Sequence, residues 1–344
     1  GAMTLEVIGI SVLWLFLFGY IIVASIDFGA GFFSVYSHWA NQQHILHRII
    51  QRYLSPVWEV TNVFLVFFFV GIVGFFPKTA YYYGSILLVP ASIAIVLLAI
   101  RGSYYAFHTY GETERNWYLL AYGLTGLFIP ASLSIVLTIS EGGFVEESAA
   151  GVALDYGKLF ASPLSWSVVL LSVTSVLYIS AVFLTYYADA AGDEQARALL
   201  RRYALLWSGP TMLSALLIIY QLRYHNPEHY DNLWNVAWML VISFLFFVIT
   251  VWLLGRQRRF GWAFIALLFQ YAFAFYAYGI SHYPYLLYPY LTIYDGFTNE
   301  TMAMALIVAF IAGLLLLIPS LYLLMRLFLF NKAYVKGKWE GGKG

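Results

Sequence analysis

Charges are so sparse in this sequence that long apolar stretches recur from one end to the other, and each is about 20 residues or more, the length that crosses a hydrocarbon core of about 30 Å. Nine such stretches can be marked, at 7–35, 57–76, 80–100, 117–140, 163–187, 204–222, 233–254, 260–281 and 301–325. Only 10% of the 344 residues are charged and 62% are hydrophobic. A typical soluble domain carries about 25% charge. The predicted fold is therefore all-α, a polytopic membrane helix bundle of about nine transmembrane helices forming one integral domain over 1–344. The connections at 141–162, 188–202 and 282–300 are too short and too mixed to make a separate soluble domain. Gly1-Ala2 ahead of Met3 reads as a cloning remnant, and the first apolar segment, which lacks a basic leader, is expected to be retained as a helix.

Orientation follows from the basic residues, which are retained on the cytoplasmic side of a membrane. Fifteen of the 18 Lys and Arg residues fall in alternate connections, from Arg48 and Arg52 through Arg101, Arg115 and the Arg197 and Arg256 clusters to the C-terminal lysines. Lys78, Lys158 and Arg223 make up the other side. This bias predicts an N-terminus outside and a C-terminus in the cytoplasm. A net charge of +1 gives no reason to expect nucleic acid as a partner, and the absence of cysteine removes disulfides, iron–sulfur clusters and thiolate metal sites.

Ionisable groups inside the apolar segments carry the most information, because burying them in lipid costs several kcal/mol unless they face protein or water. Asp27 sits in IDFGAGFF of the first segment, Glu59 in PVWEVTNVF of the second, and Arg101 in AIRGSYYAF at the end of the third. By the predicted topology all three lie toward the cytoplasmic half. Two readings of this set stand open. Carboxylates whose pKa is raised by burial can take up and release protons near neutral pH, which suits a proton intake path. The same three charges could equally be a structural ion cluster that pins helices together.

The seven histidines, at 38, 44, 47, 108, 225, 229 and 282, all fall in connections or at segment ends. A transmembrane haem held by two histidines needs them at mid-helix depth, so none is expected in this chain. His44 and His47 beside Arg48 read as a solvated face rather than a metal site, and so do His225 and His229. Asp295 in LTIYDG reads as a turn or cap residue. No phosphate-binding glycine loop, HExxH or nucleophile elbow is present, so hydrolytic or phosphoryl chemistry has no support.

The elements IDFGAG (26–31), SPVWE (55–59), IRG (100–102) and LTIYDG (291–296), in this order along nine segments, make the chain similar to subunit II of the cytochrome bd-type quinol oxidases. That resemblance implies a homologous subunit I carrying haems b and d and the quinol site, with no haem bound by this chain. It also implies a bacterial cytoplasmic membrane location and a complex that reduces dioxygen to water, in which a small single-helix accessory subunit can take part. Carried over by motif, Asp27 and Glu59 would be the proton-path carboxylates, with Trp58, Arg101 and Asn62 in supporting positions. The chain has Ala24 where many relatives have a first acid, and it keeps the second at Asp27. The rival from another class is a secondary transporter with a midplane site, for which Pro90, Pro130 and Pro210 would be the helix breaks.

Overall fold

The computed structural model describes residues 4–110, 116–324 and 326, with side chains described at all of these except 43, 44, 48, 51–60, 104–110, 116–118 and 324. Helices dominate: α1 (Leu5–Trp39), α2 (Gln43–Phe75), α3 (Pro77–Ile86), α4 (Leu88–Tyr110), α5 (Asn116–Ser140), α6 (Tyr156–Ala161), α7 (Pro163–Ala190), α8 (Glu194–His225), α9 (Pro227–Asn235), α10 (Ala237–Arg256), α11 (Phe260–His282) and α12 (Glu300–Leu324). Two small antiparallel hairpins, β1–β2 (Val145–Ser148, Gly151–Leu154) and β3–β4 (Tyr285–Leu287, Leu291–Thr292), lie in the connections after α5 and α11.

Most of each expected segment falls on helix among the described residues, although the seventh, 233–254, starts in α9 and is interrupted at Val236 before α10; the differences have local causes. Several helices outrun the apolar windows, because a helix can continue past the membrane edge into charged sequence. Thus α2 begins at Gln43 rather than 57, and α8 spans Glu194–His225 rather than 204–222. The third segment, expected at 80–100, is cut at Leu87 into α3 and α4. A proline ring clashes with the carbonyl four residues earlier. For Pro90 that residue is Ile86, which is where α3 stops. The chain bends by 116° between residues 61–75 and 77–86, across Phe76 and ahead of Pro77. Among the described residues seven helices are long and apolar enough to cross a membrane, or up to eight with that bent pair taken as one span. Pro130 and Pro210 do not break their helices, since α5 and α8 run on through them.

Helix α1 lies at the centre, packed on α2, α5 and α7, with α7 paired to α8, α10 to α11 and α4 to α5. One core joins Ile22, Ile26 and Phe33 of α1 to Tyr178, Tyr187, Leu200 and Leu267. A second joins Leu13 and Phe16 to Phe64, Phe75 and Phe310. The closest approaches to α1 need glycine. A Cβ on Gly29 would lie 2.2 Å from the Ser180 Cβ, and one on Gly126 would lie 2.3 Å from the Phe28 carbonyl oxygen. Those two glycines let α7 and α5 close on the turn of α1 that carries Asp27.

Side-chain bonds tie the connections together at each end of the bundle. At the arginine-rich end, the Tyr203 hydroxyl donates to Gln42 Oε1 (3.1 Å), and Arg197 pairs with Asp189 (3.2 Å). Arg201 there donates to the Leu254 and Gly255 carbonyls (2.6 and 3.2 Å). Both carbonyls belong to the last turn of α10, where the regular donors four residues on run out and Leu254 O has only a long bond from Gln257 N (3.3 Å), so Arg201 helps to cap α10. At the opposite end Thr298 N donates to Phe75 O (3.1 Å), Tyr288 N donates to Ser140 O (3.0 Å), and a His225 ring nitrogen lies 2.7 Å from Gly142 O. The grouping of ends is the one the alternating basic connections predict.

Candidate functional site

The structure brings Asp27 and Arg101 together in the interior. The Asp27 side chain is 4% exposed and that of Arg101 only 1%. Arg101 Nη2 lies 3.3 Å from Asp27 Oδ1 and donates to the Asp27 backbone carbonyl at 2.8 Å. Its Nη1 donates to the Tyr122 carbonyl (2.7 Å) and Thr125 Oγ1 (3.3 Å). The guanidinium also covers the Tyr122 ring at 4.1 Å and lies 5.0 Å from that of Phe28. The Tyr122 hydroxyl donates to Asp27 Oδ1 at 3.3 Å. A buried cation held by a carboxylate, carbonyls and an aromatic face replaces its lost water with fixed dipoles, the condition under which an ionised pair survives in a membrane interior.

The remaining predicted residues lie on α2. Asn62 is half-buried beside the buried Thr61, while the side chains of Trp58 and Glu59 lie outside the described residues. Tyr122 and Thr125 on α5 were not singled out from the sequence. A tyrosine among 29 gives no signal by itself, and the partner of Arg101 could be found only by placing α5 beside α1 and α4.

A second polar cluster occupies the opposite end of the bundle and contradicts one expectation. His229 is buried, 2% exposed, rather than part of a solvated face. Its Nδ1 lies 2.8 and 2.9 Å from the two carboxylate oxygens of Glu141, which is itself buried just past α5. His282 Nε2 lies 3.8 Å from the same carboxylate. The Tyr278 hydroxyl and Asn226 Nδ2 (3.0 Å) also donate to Glu141. Burial pushes the Glu141 carboxyl pKa up, but the His229 hydrogen bond, the two imidazoles and Tyr278 outweigh it and leave the group below the usual carboxylate value. Glu141, His229 and His282 are the set among the described residues whose donor atoms could converge on a metal ion. The signal was present in the topology: 141, 229 and 282 all fall in connections of the same parity. Asp295 behaves as expected, accepting from Thr292 N (2.8 Å) and Oγ1 (3.1 Å).

Residues 5–328 match the family model described as cytochrome bd terminal oxidase subunit II. The chain is 34% identical over 338 residues to the putative cytochrome bd menaquinol oxidase subunit II of Bacillus subtilis strain 168, covering 96% of this chain and 97% of that one. In three dimensions it is similar to a chain in the structure of bd oxidase from Geobacillus thermodenitrificans, with a TM-score of 0.80 over 94% of this chain and 98% of that chain. Sequence identity there is 12%, so this last likeness speaks for the fold alone.

Proposed function

The chain belongs to the cytochrome bd terminal oxidase subunit II family, and from that premise we propose that it conducts cytoplasmic protons through Asp27 and Glu59 toward the oxygen-reducing site of a partner subunit. It is a subunit of a respiratory quinol oxidase and a multi-pass protein of the bacterial plasma membrane. In the proposed arrangement the N-terminus is outside and the C-terminus cytoplasmic. The electron donor is menaquinol, as the name of the Bacillus subtilis relative suggests. Haems b and d, which carry electrons to dioxygen, are held by a homologous subunit I, and a single-helix accessory subunit can join them. The residues of this chain agree with that division. Its described histidines sit at helix ends, and the ring nitrogens of His225, His229 and His282 face protein groups.

The observation that carries the reading is the buried Asp27 carboxylate, which reaches both a fixed cation and the Tyr122 hydroxyl. An acid in that setting has a hydroxyl at hand for relay and an arginine that holds its orientation. Taking chemical protons from the inside, while quinol releases its own outside, separates charge without a pump. The reading is tested by Glu59→Gln and Asp27→Asn in the assembled oxidase. Oxygen turnover and charge separation should fall about 100-fold or more, the low end for losing a positioned proton-transfer group, while the haem absorption spectrum stays normal. Unchanged turnover in both variants would overturn it.

The direct pairing of Arg101 with Asp27 also favours a second reading, in which the acids only lock helices. That reading predicts normal turnover in whatever complex survives substitution. The transporter alternative loses ground because α5 and α8 continue through Pro130 and Pro210.

A further inference from the structure

Three segments far apart in sequence deliver Glu141, His229 and His282 to one buried point: the residue after α5, the first turn of α9 and the last residue of α11. They are 2%, 2% and 9% exposed, and their donor atoms lie within 4.8 Å of one another. The far side of each imidazole is already committed. His282 Nδ1 lies 2.7 Å from the Tyr285 carbonyl oxygen, which can only accept, so that nitrogen carries a proton. In the neutral ring the Nε2 lone pair then points inward, toward Glu141 and toward the Ser140 carbonyl oxygen 2.9 Å away. Two lone pairs at that distance repel unless a proton or a cation lies between them. His229 is set in the same sense, with Nε2 2.7 Å from Ser281 Oγ and Nδ1 on Glu141.

We propose that Glu141, His229 and His282 bind one divalent transition-metal ion of the zinc class and that this ion clamps α5, α9 and α11 together at the end of the bundle opposite the arginine-rich connections. Two protonated imidazoles around one carboxylate would carry a net charge of +1, with both ring charges crowded at a centroid separation of 5.1 Å. A divalent ion beside one carboxylate and two neutral imidazoles carries the same net charge at a single point that all three donors face. Imidazole donating its outer N–H to a carbonyl or hydroxyl is the outer-shell pattern that fixes a metal-binding tautomer. Tyr278 and Asn226 do the same for the carboxylate.

The donor set selects the ion. Two nitrogens and one carboxylate suit zinc and its neighbours, whereas calcium and magnesium want all-oxygen shells. Tetrahedral zinc with bonds of about 2.0 Å separates neighbouring donors by roughly 3.3 Å. The observed His229–Glu141 and His282–Glu141 separations of 2.8 and 3.8 Å straddle that value, so small side-chain rotations suffice. A narrow recess lined by Asn226, Glu228, Asn232, Tyr285 and Tyr288 borders both histidines, so the site lies against polar side chains rather than inside an apolar core.

The test uses the whole oxidase, purified without a polyhistidine tag and stripped with chelator, then dialysed against micromolar free zinc and analysed for zinc relative to haem iron. Wild type should bind zinc. His282→Gln and Glu141→Gln should each weaken binding by about 100-fold or more, beyond the 10–100-fold typical of outer-shell changes. His225→Gln, whose ring faces Gly142 O instead, should bind as wild type does. Failure of wild type to take up zinc, or equal uptake by the His282 and Glu141 variants, overturns the proposal. Should those variants not assemble, X-ray absorption at the zinc edge of the wild-type complex decides: a shell of two imidazoles and oxygen supports the site, and a shell of sulfur or of oxygen alone overturns it.

Discussion

Arg101 holds Asp27 in two ways, through the carboxylate at 3.3 Å and through the backbone carbonyl of the same residue at 2.8 Å. The second bond does not depend on the side chain at position 27. Among the described residues, two acceptors of the guanidinium, Asp27 O and Tyr122 O, are main-chain atoms.

This asymmetry sets the order of two substitutions. Arg101→Gln removes the cation 3.3 Å from a buried carboxylate and should cost about 3–5 kcal/mol, the range for breaking a buried pair from one side. Asp27→Asn should cost less, because Arg101 keeps its carbonyls and the Tyr122 ring. Thermal melts of the detergent-solubilised oxidase check the order, and the double variant should melt higher than the sum of the single losses implies. An Asp27→Asn complex less stable than Arg101→Gln would show that the carboxylate, not the main chain, anchors the arginine.

Gly29→Ala should destabilise the bundle by about 1–3 kcal/mol, the range for overpacking a tight core. The new Cβ would meet Ser180 Cβ at 2.2 Å and Val176 O at 2.8 Å, and a backbone oxygen on α7 cannot rotate away. Gly84→Ala, with nothing within 4 Å of its Cβ in α3, is the control and should be neutral or stabilising by a fraction of a kcal/mol. Equal melting temperatures for the two variants would mean that α1 and α7 do not depend on this contact.

Asp295 gives a pH signature in the turn just past β4. The backbone hydrogen bond from Thr292, helped by the Thr292 hydroxyl and Lys78, holds its carboxyl below the ordinary value of 3.8. A folded-state pKa that is depressed means that the ionised group stabilises the fold above the unfolded value, and that this contribution is lost as pH falls below 3.8 toward the lower folded value. Hydrogen exchange should show the peptide around Thr292 better protected in wild type than in Asp295→Asn at neutral pH, with the gap narrowing as acid approaches that window. A gap that is absent at neutral pH, or that widens in acid, would contradict the cap.

Hydropathy made the helices legible because a membrane imposes one length and one composition on every crossing, and the rarity of charge made Asp27 and Arg101 conspicuous. The break at Leu87 was legible in principle, through Pro90 and the carbonyl of Ile86, but an uninterrupted apolar run hides it. The burial of His229 was not legible, since a histidine next to Pro227 and Glu228 has the local sequence of a solvated loop. Its surroundings come instead from α5 and α11, 88 residues before it and 52 after it. Tyr122 was hidden for a similar reason: its value lies in where α5 packs, and one-dimensional pattern carries no record of that.

Arg201 shows a further economy. Positive residues bias the direction in which a nascent chain threads through the membrane. Arg201 is one of those residues, yet in the finished molecule its guanidinium closes the last turn of α10 on Leu254 and Gly255. The same side chain thus serves two moments in the life of the protein, first biasing insertion and then sealing a helix that has not yet been synthesised when Arg201 emerges. A lysine there would keep the charge that biases threading yet lose the fork that reaches both carbonyls, so the choice of arginine over lysine answers to the finished fold.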